Sequence, residues 1–277
     1  MTGTCRPVGT CRPGGRRLAS TLQVVAAALV VGAGAIEGAP AAASGARQWS
    51  GAHRDQSGPA ASVVASGQSD AAAMHGPERF SAVLPTTSRR GDLLIAAVVC
   101  GVVGNGTAVP TLRLPGGWHE AVRRVGGFEG GLESALYFYP SNPGGLRRFS
   151  VGSVPRGTDA YCTTFTAELR GIGAGVHLEA TGSGQSWGTA VAARTPTAVS
   201  RSRTVVLLVS TDGTEEHHTH YTIPSGFRPI EEQTDGRRYQ PGTFSIRFGT
   251  STGPQGGVVT WQGAMTDGCA VVAAFHA

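Results

Sequence analysis

Lysine is absent from this 277-residue chain, and all 23 basic residues are arginine. Arginine codons can be GC-rich and lysine codons cannot, so this reads as base composition as much as function. Charge is scarce at 15%, and aromatics make up only 6%. This composition excludes collagen, a coiled coil and a polytopic membrane protein. Catalytic signatures are missing too. There is no His-Glu-x-x-His, and without lysine there can be no Ser-x-x-Lys. The glycine runs around Gly126, Gly130, Gly144 and Gly171 are turn material rather than strand-to-helix phosphate loops. The expectation is a protein that is not an enzyme and takes no cofactor.

What is present begins with an address. Arg6, Arg12, Arg16 and Arg17 precede an uncharged stretch from Leu18 to Ile36, and Ala41 and Ala43 follow as small residues. That order is a signal peptide over residues 1–43, and it implies secretion with no stable membrane insertion after cleavage. Removing it leaves 19 arginines against 17 acids, a net charge of +2. The remaining arginines scatter as singles and doublets among acids, where a nucleic-acid partner would call for a clustered basic footprint.

Residues 44–76 hold 8 Ala, 6 Ser and 5 Gly, which predicts a flexible linker. From residue 77 to 277 the pattern changes to short apolar runs rich in Val, Thr, Phe and Tyr, each closed by Gly, Pro, Asn or Asp. About a dozen strands building an all-β sandwich are expected. Leu93–Cys100 and Arg203–Ser210 are nearly continuous apolar runs and belong in sheet centres. Tyr161–Leu169 alternates, with Phe165, Ala167 and Leu169 on the core-facing side.

An internal duplication organises this domain. Ser88–Val99 echoes Val199–Ser210, Leu114–Trp118 echoes Ile223–Phe227, and the strand from Cys162 echoes the strand from Cys269, at offsets of 111, 109 and 107. The pseudo-repeats span about 77–175 and 185–277. Either they build one sandwich between them or each forms a separate domain of about 100 residues.

The run Gly91-Asp-Leu-Leu94, then Pro115-Gly-Gly-Trp118, then Leu169-Arg-Gly171, resembles jelly-roll-like β-sandwiches of phage tail and fibre proteins and secreted bacterial surface proteins. The resemblance implies a jelly-roll-like fold and an extracellular role in attachment or recognition. It carries over no site residue.

Three cysteines follow the leader: Cys100, Cys162 and Cys269. If Asp92–Cys100 pairs antiparallel with Cys162–Arg170, then Cys100 faces Cys162 while Asp92 faces Arg170, which favours a Cys100–Cys162 bridge. A Cys162–Cys269 bridge is the rival. Glu216, His218 and His220 would share one side of an extended segment and could hold Zn²⁺ or Cu²⁺, although the segment also reads as a polar loop. Trp187, flanked by Ser186 and Gly188, is the best exposed platform for a sugar ring. Tyr137 and Tyr139, on one strand face with Ala135, join it as ligand-binding candidates with core packing as their other reading, while Trp118 reads as core. The functional expectation is a secreted, non-enzymatic recognition module for a glycan or another cell-surface ligand. A secreted hydrolase with dispersed site residues and a structural envelope protein are the alternatives.

Overall fold

The computed structural model describes residues 61–73, 78–103, 109–126, 131–172, 175–196, 199–212, 220–234, 240–262 and 265–276. Two series of eight strands run through them. The first comprises β1 (Ser62–Ala73), β2 (Glu78–Val83), β3 (Leu93–Val103), β4 (Thr111–Leu112), β5 (His119–Gly126), β6 (Leu132–Tyr139), β7 (Arg148–Val154) and β8 (Asp159–Arg170). The second comprises β9 (His177–Gly188), β10 (Ala190–Arg194), β11 (Val199–Thr211) and β12 (His220–Thr222). It continues through β13 (Arg228–Gln233), β14 (Gly242–Gly253), β15 (Gly256–Gln262) and β16 (Thr266–His276). No helix occurs among the described residues.

The duplication is complete at the level of topology. The first half forms a five-stranded sheet in the order β1-β8-β3-β6-β5 and a three-stranded sheet β2-β7-β4. Adding eight to every strand number reproduces the second half: β9-β16-β11-β14-β13 and β10-β15-β12. Sixteen strands among the described residues replace the dozen expected, because short runs such as Thr111–Leu112 and His220–Thr222 carry too few residues to show a period.

Three cores set the layering. Phe80, Ala82, Phe149 and Val151 of β2 and β7 pack against Ala96, Val98, Ala135 and Tyr137 of the first large sheet. Val191, Val259 and Trp261 pack in the same way on Val205, Leu207 and Val272 of the second. Between the two large sheets lies a third core that includes Ile95, Leu136, Phe165, Val206, Phe244 and Phe275. The sheets are therefore stacked four deep, three strands, five, five and three. Phe165 stacks on Phe244 at 6.2 Å, and Phe138 meets Phe275 edge-on at 5.2 Å, so the halves are joined by aromatic packing.

This stacking explains the apolar runs. β3 and β11 sit at the centres of their sheets, and both of their faces are covered. It also amends the reading of β8. Phe165, Ala167 and Leu169 do face the central core, yet Thr164, Thr166 and Glu168 on the other face are buried as well.

Residues 62–73 depart from the expected linker. They form β1, paired with β8 from Ser62↔Arg170 to Ala73↔Ala160. Their small side chains suit a sheet edge that another segment crosses closely: a Cβ on Gly67 would lie 3.1 Å from Pro85 Cδ. Backbone hydrogen bonding holds this strand, and composition alone does not reveal it. The rest of that segment, and the signal peptide expected over residues 1–43, lie outside the described residues.

The turn that marked the repeat is the same in both halves. Trp118 N–H donates to Pro115 O at 3.4 Å and Phe227 N–H donates to Pro224 O at 3.2 Å. Gly117 and Gly226 take positive φ values of 92° and 85°, as the third position of such a turn requires. Half-buried Trp118 then packs on Phe149 at 4.7 Å, against the margin of the outer core, in line with its reading as a packing residue.

Candidate functional site

Cys100 and Cys162 form a disulfide with Cα atoms 4.1 Å apart. They stand directly opposite each other on β3 and β8, and Arg170 Nη2 donates to Asp92 Oδ2 at 3.0 Å at the other end of the same ladder. Both consequences of the expected register are present. Cys269 is a buried free thiol. Burial pushes its pKa up to about 11, against the opposing influence of Ser134 and Arg124.

The remaining expected site residues do not converge. Tyr137 is buried in the outer core of the first half, and its hydroxyl donates to Glu120 Oε2 at 3.2 Å. With its ring covered, Tyr137 offers no stacking face and drops out as a ligand platform. Tyr139 lies against Trp118 at a centroid distance of 5.6 Å and belongs to the same packing group. Glu216 and His218 lie outside the described residues. His220 is exposed on β12 opposite Gln262. Among the described residues, no group of three or more His, Cys, Asp or Glu side chains is arranged to hold a metal ion.

Trp187 is different. It is 62% exposed, near the end of β9, with Asp267 of β16 opposite it. The strand beneath it has an unusual composition, Gly182-Ser-Gly-Gln-Ser-Trp187, that reads as loop but is extended throughout. The reason is close approach. A Cβ on Gly182 would run into the carbonyl of Arg194, and one on Gly184 into the carbonyl of Ala192, so β10 can lie directly across this face only if it is bare. The other face of β9 therefore carries Ser183, Gln185 and Trp187, all exposed. Arg124 of β5 reaches across from the first half, donating to Gln185 Oε1 through Nη2 at 2.7 Å and Nε at 3.2 Å. An indole, a primary amide, a hydroxyl and a guanidinium thus border one seam. That set can stack on a sugar ring and hydrogen-bond its hydroxyls.

No protein-family model, curated protein or solved structure matches the chain. The functional reading therefore rests on the geometry of the seam.

The opposite face of β5 holds a second polar group that sequence reading missed. Glu133, fully buried, accepts from Arg123 Nε at 2.5 Å, and its Oε2 has no hydrogen-bond partner among the described residues. Burial raises the Glu133 pKa above the ordinary carboxylate range, while Arg123 opposes the rise. Tyr137 is pushed upward by burial and by Glu120. Two carboxylates, a phenol and a guanidinium so close together resemble acid–base machinery, but Glu133 Oε2 is sealed from solvent and no substrate atom can reach it. The cluster fastens the edge strand β5 to β6. Period-2 spacing puts Glu133, Ala135 and Tyr137 on one face, and that was the available signal. It remained unread because a strand between two layers buries positions that would be exposed in a simple sandwich.

Proposed function

We propose that this protein is a secreted surface-recognition module that binds carbohydrate along the β9 seam, with Trp187 as the stacking platform. The observation that carries the reading is Trp187 itself, a large aromatic side chain exposed on a strand that is locked between β16 and β10. An exposed indole on rigid backbone loses little conformational freedom when it stacks, which favours a ligand with an apolar face and polar rim. Gln185, Ser183 and Arg124 supply the polar partners.

The leader at 1–43 supports export, and the disulfide is at home in an oxidising compartment. The interleaved order β1-β8-β3-β6 facing β2-β7-β4, with the run through Trp118, supports the jelly-roll-like reading and its attachment role. A glycan array with the purified secreted chain tests the function. Binding to at least one glycan class is expected, with affinity falling tenfold or more in Trp187→Ala. An array without signal removes the function, and undiminished binding by the variant removes the site.

A further inference from the structure

The outermost layer of the first half carries a second polar cleft. It has a volume of about 310 Å³ and is lined by Arg79, Thr111, Arg113, Ser150, Gly152 and Ser153. Its construction follows from the β2-β7-β4 sheet. Arg79 on β2, Ser153 on β7 and Thr111 on β4 form one cross-strand rung. Arg113 continues from β4, held by its N–H donating to Val151 O at 2.8 Å. Two strand spacings separate the flanking strands, about 10 Å, so the arginines stand on either side of a floor made by β7.

Gly152 contributes bare backbone to that floor; on its core side a Cβ would meet Thr111 O and the Phe80 ring, so the position accepts no side chain. Ser150 and Ser153 give the floor hydroxyl groups. Among the described residues, none that lines the cleft is acidic. Among the described residues, neither the Arg79 nor the Arg113 side chain has a hydrogen-bonding or ion-pairing partner. Arg148, exposed two residues before Ser150 on the same strand, adds a third positive charge to this face.

We infer that this cleft binds the oxyanion of an acidic sugar, the carboxylate of a uronate or a sulfate ester, with the sugar ring lying across the β7 floor. Guanidinium groups pair with planar oxyanions through two parallel N–H donors, which a neutral sugar cannot exploit. The serine and threonine hydroxyls match the remaining ring hydroxyls, and the volume suits one or two sugar residues. Single-stranded nucleic acid is disfavoured because, among the described residues, no aromatic side chain lines the cleft to stack on a base. The inference shares carbohydrate as ligand class with the β9 seam but concerns a different layer and does not depend on Trp187.

The test is titration calorimetry on the full secreted chain with four probes: trigalacturonate, a sulfated maltotriose, neutral maltotriose and an oligo-dT of similar charge. One of the two anionic sugars should bind saturably, and which one does identifies the oxyanion. Its affinity should fall with added salt, fall tenfold or more in Arg79→Gln/Arg113→Gln, and stay within twofold in Trp187→Ala. Arg79→Lys/Arg113→Lys keeps the charge and loses the planar fork, so it should show an intermediate loss; an unchanged thermal midpoint certifies the fold of each variant. Absence of binding by both anionic sugars, or undiminished binding by the glutamine variant, overturns the inference. Tighter binding of oligo-dT than of either sugar overturns the carbohydrate assignment. Loss of array binding in Trp187→Ala alone would bear on the β9 seam and leave this cleft untouched.

Discussion

Cys162 and Cys269 point to opposite sides of their respective sheets. Cys162 sits in the outer core of the first half, whereas Cys269 faces the seam between the halves, its thiol donating to Arg124 O at 3.6 Å. The registers explain this. Leu93↔Leu169 in the first half corresponds to Thr204↔Phe275 in the second, so Cys100↔Cys162 corresponds to Thr211↔Gly268. The third repeat offset is therefore 106 and not the expected 107. In a strand, one residue of misalignment moves a side chain to the other face. A bridge between Cys162 and Cys269 is excluded by this arrangement, and the second half has no counterpart of the disulfide.

The Cys100–Cys162 bridge closes a sequence separation of 62 residues. In the chain-entropy model such a loop is worth about 4 kcal/mol. A Cys100→Ala/Cys162→Ala variant is expected to lose stability of that order and so to unfold at a lower urea concentration. Comparing denaturation midpoints of the two chains checks it, and equal midpoints would contradict the expectation.

Cys269 should be chemically silent in the folded chain. The thiolate is the reactive form, and burial with a pKa pushed up to about 11 leaves it almost unpopulated at pH 8. Alkylation at pH 8 followed by peptide mass mapping should find the Cys269 peptide unmodified in native protein and fully modified in 6 M guanidinium (a concentration on the order of that which unfolds most domains).

Glu133 should make stability depend on pH with a defined sign. Its carboxyl is held above the ordinary glutamate range by burial, so the folded chain binds this proton more tightly than the unfolded chain does. The contribution is fully present below the unfolded pKa and is lost as pH rises through the raised folded value. Glu133→Gln should flatten that decline. Denaturation midpoints collected from mildly acidic to neutral pH give the comparison, and parallel curves for both chains would rule Glu133 out as the cause.

Gly184 should tolerate no side chain. An alanine there meets the Ala192 carbonyl, which is backbone of β10 and can yield only if the layer moves. Gly184→Ala is expected to destabilise the fold by about 2 kcal/mol or more, whereas Ser183→Ala on the exposed face should stay within about 0.5 kcal/mol. Thermal unfolding of both variants separates a packing requirement from a flexible segment.

Much of the candidate site was legible from local chemistry. Trp187 stood out because small, polar neighbours flank it, and it is exposed. Its polar partner Arg124 was not legible, because it arrives from β5 in the other half, 61 residues away from Gln185. Tyr137 misled for the converse reason: a face that would be open in a two-layer sandwich is covered here by β2 and β7.

The sequence alone determined the strand-rich class, the central position of β3 and β11 and the repeated Pro-x-Gly-aromatic turn, and it favoured the Cys100–Cys162 pairing that the structure shows. Each follows from short-range pattern: apolar run length, a glycine at the positive-φ turn position, and a register that fixes two rungs at once. Only the tertiary structure decided that residues 62–73 form an edge strand, that the glycine-rich 177–188 is a continuous strand, and that the two large sheets stack into a four-layer body. Those features depend on what packs across a strand, and a residue's own side chain carries no record of its neighbour on the next layer.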